Sequence, residues 1–226
     1  MDRPLIVAID GPAGAGKSTV AKSLAARLGF SLVDTGAIYR CVALKALREG
    51  IALDDDERLG PLVDGLEVSF QMNGPKNHVF LDGEDVSDDI RTPSNSLAAS
   101  KVAGRPVVRA RLLGLQRRLG RQAARGAVLE GRDIGTVVFP DAEVKVFLMA
   151  DPRVRAARRH EELKAKGASS TLEAVLAEQN QRDRDDSERE VAPLTPAADA
   201  VQLDSSAMDA GSVVERIESL VRAHLR

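Results

Sequence analysis

The chain has one cysteine, Cys41, among its 226 residues. A single thiol excludes a disulfide within the chain and any metal site built from several thiolates. Cys41 lies in a segment with helical character, residues 38–47. We predict that it is a small buried side chain and not a reactive thiol.

Tryptophan is absent, and aromatic residues make up only 3% of the sequence. Stacking platforms for single-stranded nucleic acids are therefore scarce. Charge of one sign is also lacking, because 32 Lys and Arg residues face 34 Asp and Glu residues, for a net charge of −2. This balance argues against bulk binding to nucleic acid or to a membrane surface.

Long apolar runs are missing as well. No run is long enough to span a bilayer, and the first one, residues 5–9, is too short for the core of a signal peptide. We therefore expect a soluble, cytoplasmic protein. The apolar fraction of 43% is enough for a sizeable core, and the length fits one α/β domain with insertions.

Strand-like and helix-like segments alternate at the start of the chain. The apolar run 5–9 ends in Asp-Gly, as a buried parallel strand does. The spacing then predicts a helix over 17–28, a strand over 30–33 and a helix over 37–49. This order predicts a parallel sheet covered by helices on both faces.

The pattern changes between residues 66 and 86, where apolar and polar residues alternate on either side of Asn73-Gly74. This alternation predicts a small antiparallel hairpin or meander inserted into the α/β domain. Later segments predict a helix over 106–124, strands over 127–129 and 144–149, a polar helical stretch over 152–182, a charged segment over 182–190, a strand over 200–203 and a helix over 213–225.

Residues 11–18 match the phosphate-loop pattern G-x-x-x-x-G-K-[ST] between a predicted strand and a predicted helix. Glycines there let backbone N–H groups approach phosphate oxygens. Lys17 is expected to reach the β- and γ-phosphates, and the Ser18 hydroxyl to bind Mg²⁺. The predicted ATP-binding residues are Gly11, Pro12, Ala13, Gly14, Ala15, Gly16, Lys17, Ser18 and Thr19. A glycine-rich turn without a ligand is the alternative, and the correct flanking elements disfavour it.

The guanine-reading motif N/T-K-x-D of regulatory GTPases is not present. Large ATPase machines usually need a longer chain. A small-molecule kinase instead needs arginines around the transferred phosphoryl group and a cover that excludes water. Arginines follow predicted strands or lie in the late polar segment, at positions 40, 132, 182, 184 and 189. Any one of them could be a surface residue, but positions just past strand ends favour ligand binding.

Five segments carry a resemblance to a known family. They are DGPAGAGKST (10–19), DTGAIYR (34–40), LDGEDVS (81–87), GRDIGTVVFPDA (131–142) and residues 182–194, which end in VAPL. The chain resembles the bacterial cytidylate kinases along nearly its whole length. The first segment is shared by many kinases, whereas the second and fourth are much more specific.

The resemblance implies an adenylate-kinase-like P-loop fold, a three-layer α/β/α domain with a five-stranded parallel sheet, a small inserted antiparallel sheet and a helical lid. It divides the single domain, 1–226, into a core (about 1–34, 105–152 and 192–226), a monophosphate-binding region (about 35–104) and a lid (about 153–191). It further implies a monomer that uses ATP and Mg²⁺ to convert CMP or dCMP into CDP or dCDP in pyrimidine metabolism.

The resemblance also assigns roles by matching positions. Cytosine would be contacted by Ser100, Arg109 and Asp133, the acceptor phosphate by Arg40, Arg132 and Arg189, and the sugar by Arg182 and Asp186, with Thr35 and Tyr39 lining the same pocket. The catalytic residues would be Lys17, Arg132, Arg182 and Arg189. The family usually has Asp before the GRD triplet, whereas this chain has Glu130.

The assigned base contacts make chemical sense. A carboxylate at Asp133 near position 4 would accept from the amino group of cytosine and repel the carbonyl of uracil, and Arg109 would suit the cytosine N3 or O2 acceptors. From the residues alone, Asp133 could equally form an ion pair with Arg132 or cap a helix. Ser100 alone would be a serine on a helix surface.

Two other functions remain open from the sequence. Residues 92–129 contain no Asp or Glu but hold Lys101 and seven arginines, at positions 105, 109, 111, 117, 118, 121 and 125, a run that RNA or DNA binding would exploit. A solvated helix face beside an anion pocket is the favoured explanation of this run. A kinase for AMP, UMP or shikimate is the other alternative.

Overall fold

The computed structural model describes residues 3–73, 76–165 and 167–225. Its strands are Leu5–Asp10 (β1), Ser31–Asp34 (β2), Val68–Asn73 (β3), Lys76–Leu81 (β4), Glu84–Asp85 (β5), Gly126–Gly131 (β6), Val144–Met149 (β7) and Val201–Asp204 (β8). Its α-helices are Lys17–Leu28 (α1), Thr35–Arg48 (α2), Asp56–Asp64 (α3), Pro93–Ala103 (α4), Pro106–Arg121 (α5), Pro152–Ala165 (α6), Leu172–Glu188 (α7) and Ala210–His224 (α8).

Five of the strands in the described residues form one parallel sheet in the order β2-β6-β1-β7-β8. The predicted α/β class and five-stranded parallel sheet are therefore confirmed. Because all five strands are parallel, their carboxyl ends meet at one edge of the sheet, where α/β proteins bind ligands. That edge receives Asp10, Asp34 and Gly131.

The sheet separates two apolar cores. On one face, Val7 and Ile9 of β1 pack with Leu24 of α1 and Ile217 of α8. On the other face lie helices α2 to α5, with Leu112 among the buried side chains. Alternate residues of β1 therefore serve opposite cores, which explains why the strand reads as a continuous apolar run. Cys41 is buried in the second core, as predicted, and burial raises the pKa of its thiol to about 12.

The inserted region is a second, antiparallel sheet in which β3 pairs with β4 and β4 with β5. The sequence left a hairpin and a meander open, and the described residues form the three-stranded meander. Gly74 of the predicted turn lies outside the described residues. The sheet is tied to the end of α2 by ion pairs from Lys45 to Asp82 and from Arg48 to Glu84.

The polar helical stretch predicted over 152–182 consists of two helices, α6 and α7. Gly167 adopts a left-handed conformation (φ 74°) after α6, and the Thr171 side chain caps α7 by accepting from the Ala174 N–H at 3.2 Å. Helix α7 then continues through Arg182 to Glu188, so most of the charged segment predicted over 182–190 is helical. The uniformly polar sequence hides this break, because it lacks an apolar stripe.

Other boundaries differ by a few residues. Helix α5 ends at Arg121 and not at Ala124, and α8 begins at Ala210 because the Asp209 side chain caps it by accepting from the Ser212 N–H at 2.8 Å. Helices α3 and α4 were not predicted. In the part of the chain that the structure describes, no helix combines the length and apolarity of a bilayer-crossing segment.

Candidate active site

The phosphate loop, residues 11–18, connects β1 to α1. Gly11, Gly14 and Gly16 have φ angles of 145°, 76° and 90°, which side chains rarely tolerate. A Cβ on Gly11 would lie 2.0 Å from the Leu148 carbonyl oxygen. The loop therefore needs glycine both for its backbone angles and for its contact with β7, and its N–H groups stand at the start of α1, a favourable place for an anion.

Lys17, the first residue of α1, is 6% exposed, and its Nζ donates to the Pro12 carbonyl oxygen at 2.7 Å. Burial, followed by the repulsion of Arg132, holds the pKa of this ammonium group well below its usual range. The ammonium thus folds back over the loop beside another cation, an arrangement that a bound polyphosphate would stabilise.

A group of oxygens adjoins the loop. The Ser18 hydroxyl donates to Glu130 Oε2 at 2.7 Å, and the Thr35 hydroxyl donates to the Glu130 carbonyl oxygen at 2.6 Å. Burial, and then the nearby Asp34 carboxylate, raises the pKa of Glu130 to about 7. Asp34 itself caps α2 by accepting from the Ala37 N–H at 2.9 Å. Hydroxyl and carboxylate oxygens are the ligands that Mg²⁺ prefers, so these residues fit that ion.

No three His, Cys, Asp or Glu side chains within the described residues gather as a metal site of their own.

A buried ion pair lies after the end of β6. Arg109 Nη2 donates to Asp133 Oδ2 at 2.6 Å, and the two side chains are 5% and 9% exposed. Arg109 also donates to the Ala103 carbonyl oxygen at 3.0 Å and stands over the Tyr39 ring, 5.4 Å from its centroid. Among the described residues, Arg109 Nε has no partner although it is buried. A donor and a carboxylate are therefore held side by side.

Three arginines, Arg132, Arg182 and Arg189, surround the Asp186 carboxylate. Arg40 pairs with Asp34 at 3.7 Å and lies within electrostatic reach of Arg182, and we call these four arginines the arginine cluster. Arg132 Nε donates to Asp186 Oδ2 at 2.7 Å, and Arg189 Nη1 lies 3.4 Å from Asp186 Oδ1. Burial, and then repulsion by Arg132 and Arg40, lowers the pKa of Arg182 to about 10, although Asp186 opposes this effect.

Arg189 Nη2 is buried without a hydrogen-bond partner in the described residues. Buried donors are rarely left unpaired, so Arg189 Nη2 has a hydrogen-bonding position available to an acceptor of a ligand. Together with the crowding of positive charge, the unpaired donor indicates a binding site for a phosphate group.

A family model described as cytidylate kinase matches residues 7–223. The chain belongs to the cytidylate kinase family. The resemblance seen in the motifs is thereby confirmed. A cytidylate kinase of Syntrophotalea carbinolica is 52% identical over 221 residues, which cover 98% of this chain and 93% of the relative. One of Geobacter sulfurreducens is 52% identical over 224 residues, covering 99% and 95%.

A solved structure of an uncharacterized Eubacterium ventriosum protein has a similar fold, with a TM-score of 0.51, 12% identity, and coverage of 97% of this chain and 99% of that one. At this identity the likeness concerns the fold alone.

The structure brings most of the assigned residues together around the carboxyl edge of the sheet. Ser100 is the exception. It is exposed on α4, and its hydroxyl donates to the Ser96 carbonyl oxygen at 3.4 Å. The same helix contributes its Ala103 carbonyl to Arg109, so the backbone of α4 reaches the ion pair. Of the two residue-based alternatives for Asp133, an ion pair was correct, but its partner is Arg109 and not Arg132.

Sequence reasoning missed a contact between the two polar helices and the phosphate loop. Arg155 of α6 is 4% exposed, donates to the Ala13 carbonyl oxygen at 2.9 Å and pairs with Asp183 of α7 at 2.7 Å. A Cβ on Gly14 would lie 2.7 Å from Gln179 Nε2. Helices α6 and α7 therefore rest directly on the loop. Arg155 gave no signal in the sequence, because it is one of many arginines in a polar stretch.

Proposed function

We propose that this enzyme of the cytidylate kinase family transfers the γ-phosphoryl group of ATP to CMP or dCMP and releases ADP with CDP or dCDP. The buried Arg109–Asp133 pair beside the phosphate loop carries the proposal, since it supplies a donor and an acceptor that match a cytosine edge. We further infer that the chain acts as a cytoplasmic monomer in pyrimidine nucleotide metabolism.

The base is read by complementary hydrogen bonds. Cytosine presents an amino donor at position 4 and acceptors at N3 and O2, whereas uracil presents an acceptor at position 4 and a donor at N3. The Asp133 carboxylate accepts from the amino group, and Arg109 donates to the ring acceptors. Each mismatched buried partner costs about 1–3 kcal/mol, so two of them produce a preference of about several hundredfold over uracil.

The donor nucleotide lies along the phosphate loop, with residues 11–19 around its phosphates. Lys17 neutralises the β- and γ-phosphates, and Ser18 and Glu130 would hold Mg²⁺. When bound, the ion would supply further neutralisation of the polyphosphate charge. Glu130 is one methylene longer than the Asp usual in the family, and its hydrogen bond to Ser18 supports its place in this group.

The acceptor phosphate lies among the arginine cluster. Arg40, Arg132 and Arg189 hold its oxygens, while Arg182 and Asp186 contact the sugar, and Thr35 and Tyr39 line the pocket. The attacking oxygen of the monophosphate is already anionic, so no general base is required. Alignment and charge neutralisation account for the rate, and Lys17, Arg132, Arg182 and Arg189 provide them.

Helices α6 and α7 form the lid, about 153–191, over the core, and residues about 35–104 bind the monophosphate. The contact of Arg155 with the phosphate loop supports this division, because it lets the lid follow the state of the loop. Closure of such a lid keeps water from the γ-phosphate and so prevents hydrolysis of ATP.

Nucleic-acid binding is the other function that the basic run suggested. Within the described residues, three of its arginines have carboxylate partners: Arg105 binds Asp56, Arg109 binds Asp133 and Arg111 binds Asp64. Their charge is partly neutralised, which favours the kinase proposal. A gel shift on random oligonucleotides at rising salt tests this point, and strong salt-dependent binding would favour the alternative.

The test of the proposal is ADP release from MgATP with CMP, dCMP, UMP, AMP, GMP or shikimate as acceptor. We expect kcat/KM to be highest for CMP or dCMP. A highest value for UMP, AMP or shikimate would reject the cytidine acceptor while leaving a P-loop kinase.

A further inference from the structure

Asp10 joins the phosphate loop to the base-reading side of the site. It is the last residue of β1, directly before Gly11, and is 5% exposed. Its Oδ1 accepts from the Ile134 N–H at 2.8 Å, and its Oδ2 accepts from the Gly135 N–H at 2.7 Å. One carboxylate therefore links the start of the loop to the segment that follows Asp133.

The two N–H groups open a π-helical turn, Ile134–Val138. The first N–H groups of a helical turn lack partners within it, and the side chain of the preceding residue usually accepts from the second or third of them, here beginning with Gly135. That residue is Asp133, and Asp is among the preferred caps. Asp133 makes no such bond within the described residues; its Oδ2 accepts instead from Arg109. Asp10, at the end of the neighbouring strand β1, thus takes the capping place.

We propose that Asp10 is a positioning residue for substrate selection. By occupying the N–H groups of Ile134 and Gly135, it keeps the Asp133 carboxylate directed at Arg109 and the acceptor base. Without Asp10, the Asp133 side chain caps its own turn and leaves Arg109. The proposal rests on the proposed function for the identity of the base that Asp133 contacts.

Close packing supports this role. A Cβ on Gly135 would lie 3.4 Å from Asp10 Oδ2 and 3.3 Å from Lys145 Cδ, so the turn is held between two side chains. Lys145 is itself fixed by Asp199, at 2.7 Å. The turn therefore has little room to move while the Asp10 carboxylate is in place.

The electrostatics place Asp10 near both halves of the site. Burial, together with the charge of Asp133, raises the pKa of Asp10 to about 6, although the hydrogen bonds from Gly135 and Ile134 and the charge of Lys17 oppose this rise. Asp10 thus lies within electrostatic reach of one residue from each substrate site.

The primary variant is Asp10→Asn, which keeps the size of the side chain but sets an amide N–H₂ against one of the two backbone donors. The change loses a hydrogen bond to a charged group and so frees a backbone N–H for the Asp133 side chain. We therefore expect the ratio of kcat/KM for CMP to that for UMP to fall by about tenfold. We expect KM for ATP to change by less than about twofold. The matched control Asp209→Asn removes a carboxylate that caps α8 at 2.8 Å, and it leaves the ratio unchanged.

Gly135→Ala tests the same contact from the other side without removing a hydrogen-bonding group, and it decides the question if Asp10→Asn does not fold. It should lower the CMP to UMP ratio as well. In an Asp133→Asn background, Asp10→Asn should change the ratio by less than about twofold, since Asp10 acts through Asp133. An unchanged ratio in folded Asp10→Asn, or a full tenfold fall in the Asp133→Asn background, would overturn the proposal.

The proposed function is judged on the wild type alone. If the wild type prefers another acceptor, the cytidine assignment is wrong, and the positioning role is then tested with the preferred acceptor. A rise in KM for that acceptor in Asp10→Asn, with KM for ATP unchanged, supports the role, and an unchanged acceptor KM refutes it.

Discussion

Replacing Asp133 by Ala should destabilise the protein strongly even without substrates. The Arg109 side chain is only 5% exposed, and the change removes its carboxylate partner, leaving it the Ala103 carbonyl oxygen at 3.0 Å and the Tyr39 ring at 5.4 Å. Removing one partner of a buried ion pair costs about 3–5 kcal/mol. Because those neighbours remain, we expect a loss near the lower limit, about 3 kcal/mol.

The assay is equilibrium unfolding in urea without nucleotides, with Asp64→Ala as the matched control. Asp64 pairs with Arg111, but the two side chains are 55% and 41% exposed, so this change should cost less than about 1 kcal/mol. The double change Arg109→Met with Asp133→Leu should recover most of the stability, since an apolar pair leaves no buried charge. A cost for Asp133→Ala no larger than that of the control would refute the reasoning.

Three further predictions concern the same site. Lys17→Ala should lower kcat by at least about a hundredfold with the fold intact by circular dichroism, because it removes charge from the transferred phosphoryl group; normal turnover would contradict the phosphate-loop assignment. Arg189→Ala should raise KM for CMP and lower kcat while ATP affinity, measured by calorimetry, is unchanged; unaltered CMP kinetics would refute its role. The free energy of unfolding of wild type, relative to that of Asp10→Asn, should fall as pH rises from about 4 to about 6. Burial raises the pKa of Asp10 to about 6, so in this range the native state holds a proton that the unfolded state has lost. A difference that does not change with pH in urea titrations would contradict this sign.

The parallel core could be predicted because its signals are local. The apolar run of β1 and the apolar spacing of the next helix lie within short segments, and glycines mark where the helix begins and ends. Helix α1 was therefore predicted with its observed ends, Lys17 and Leu28. The second sheet was visible from alternation between residues 66 and 86. Helix α3 was missed because it is short, with Pro61 inside it. Helix α4 is rich in small residues, so its apolar pattern is weak.

The site could be predicted only as far as motifs reach. The phosphate loop and the GRD segment can be recognised by their residue types and spacing. Contacts between residues far apart in sequence cannot be recognised in this way. The Arg109–Asp133 pair joins α5 to the end of β6, and Asp10 of β1 accepts from the Ile134 N–H beyond the neighbouring strand β6. Such contacts arise from the packing of the whole domain, and no local pattern encodes them.

The most direct test follows the γ-phosphoryl group itself. ATP labelled in its γ-phosphate is incubated with Mg²⁺, the purified chain and CMP, and the products are separated. We predict that the label enters CDP in a one-to-one ratio with ADP formed, and that little inorganic phosphate is labelled. Label found in inorganic phosphate at the same rate with and without CMP would contradict the account.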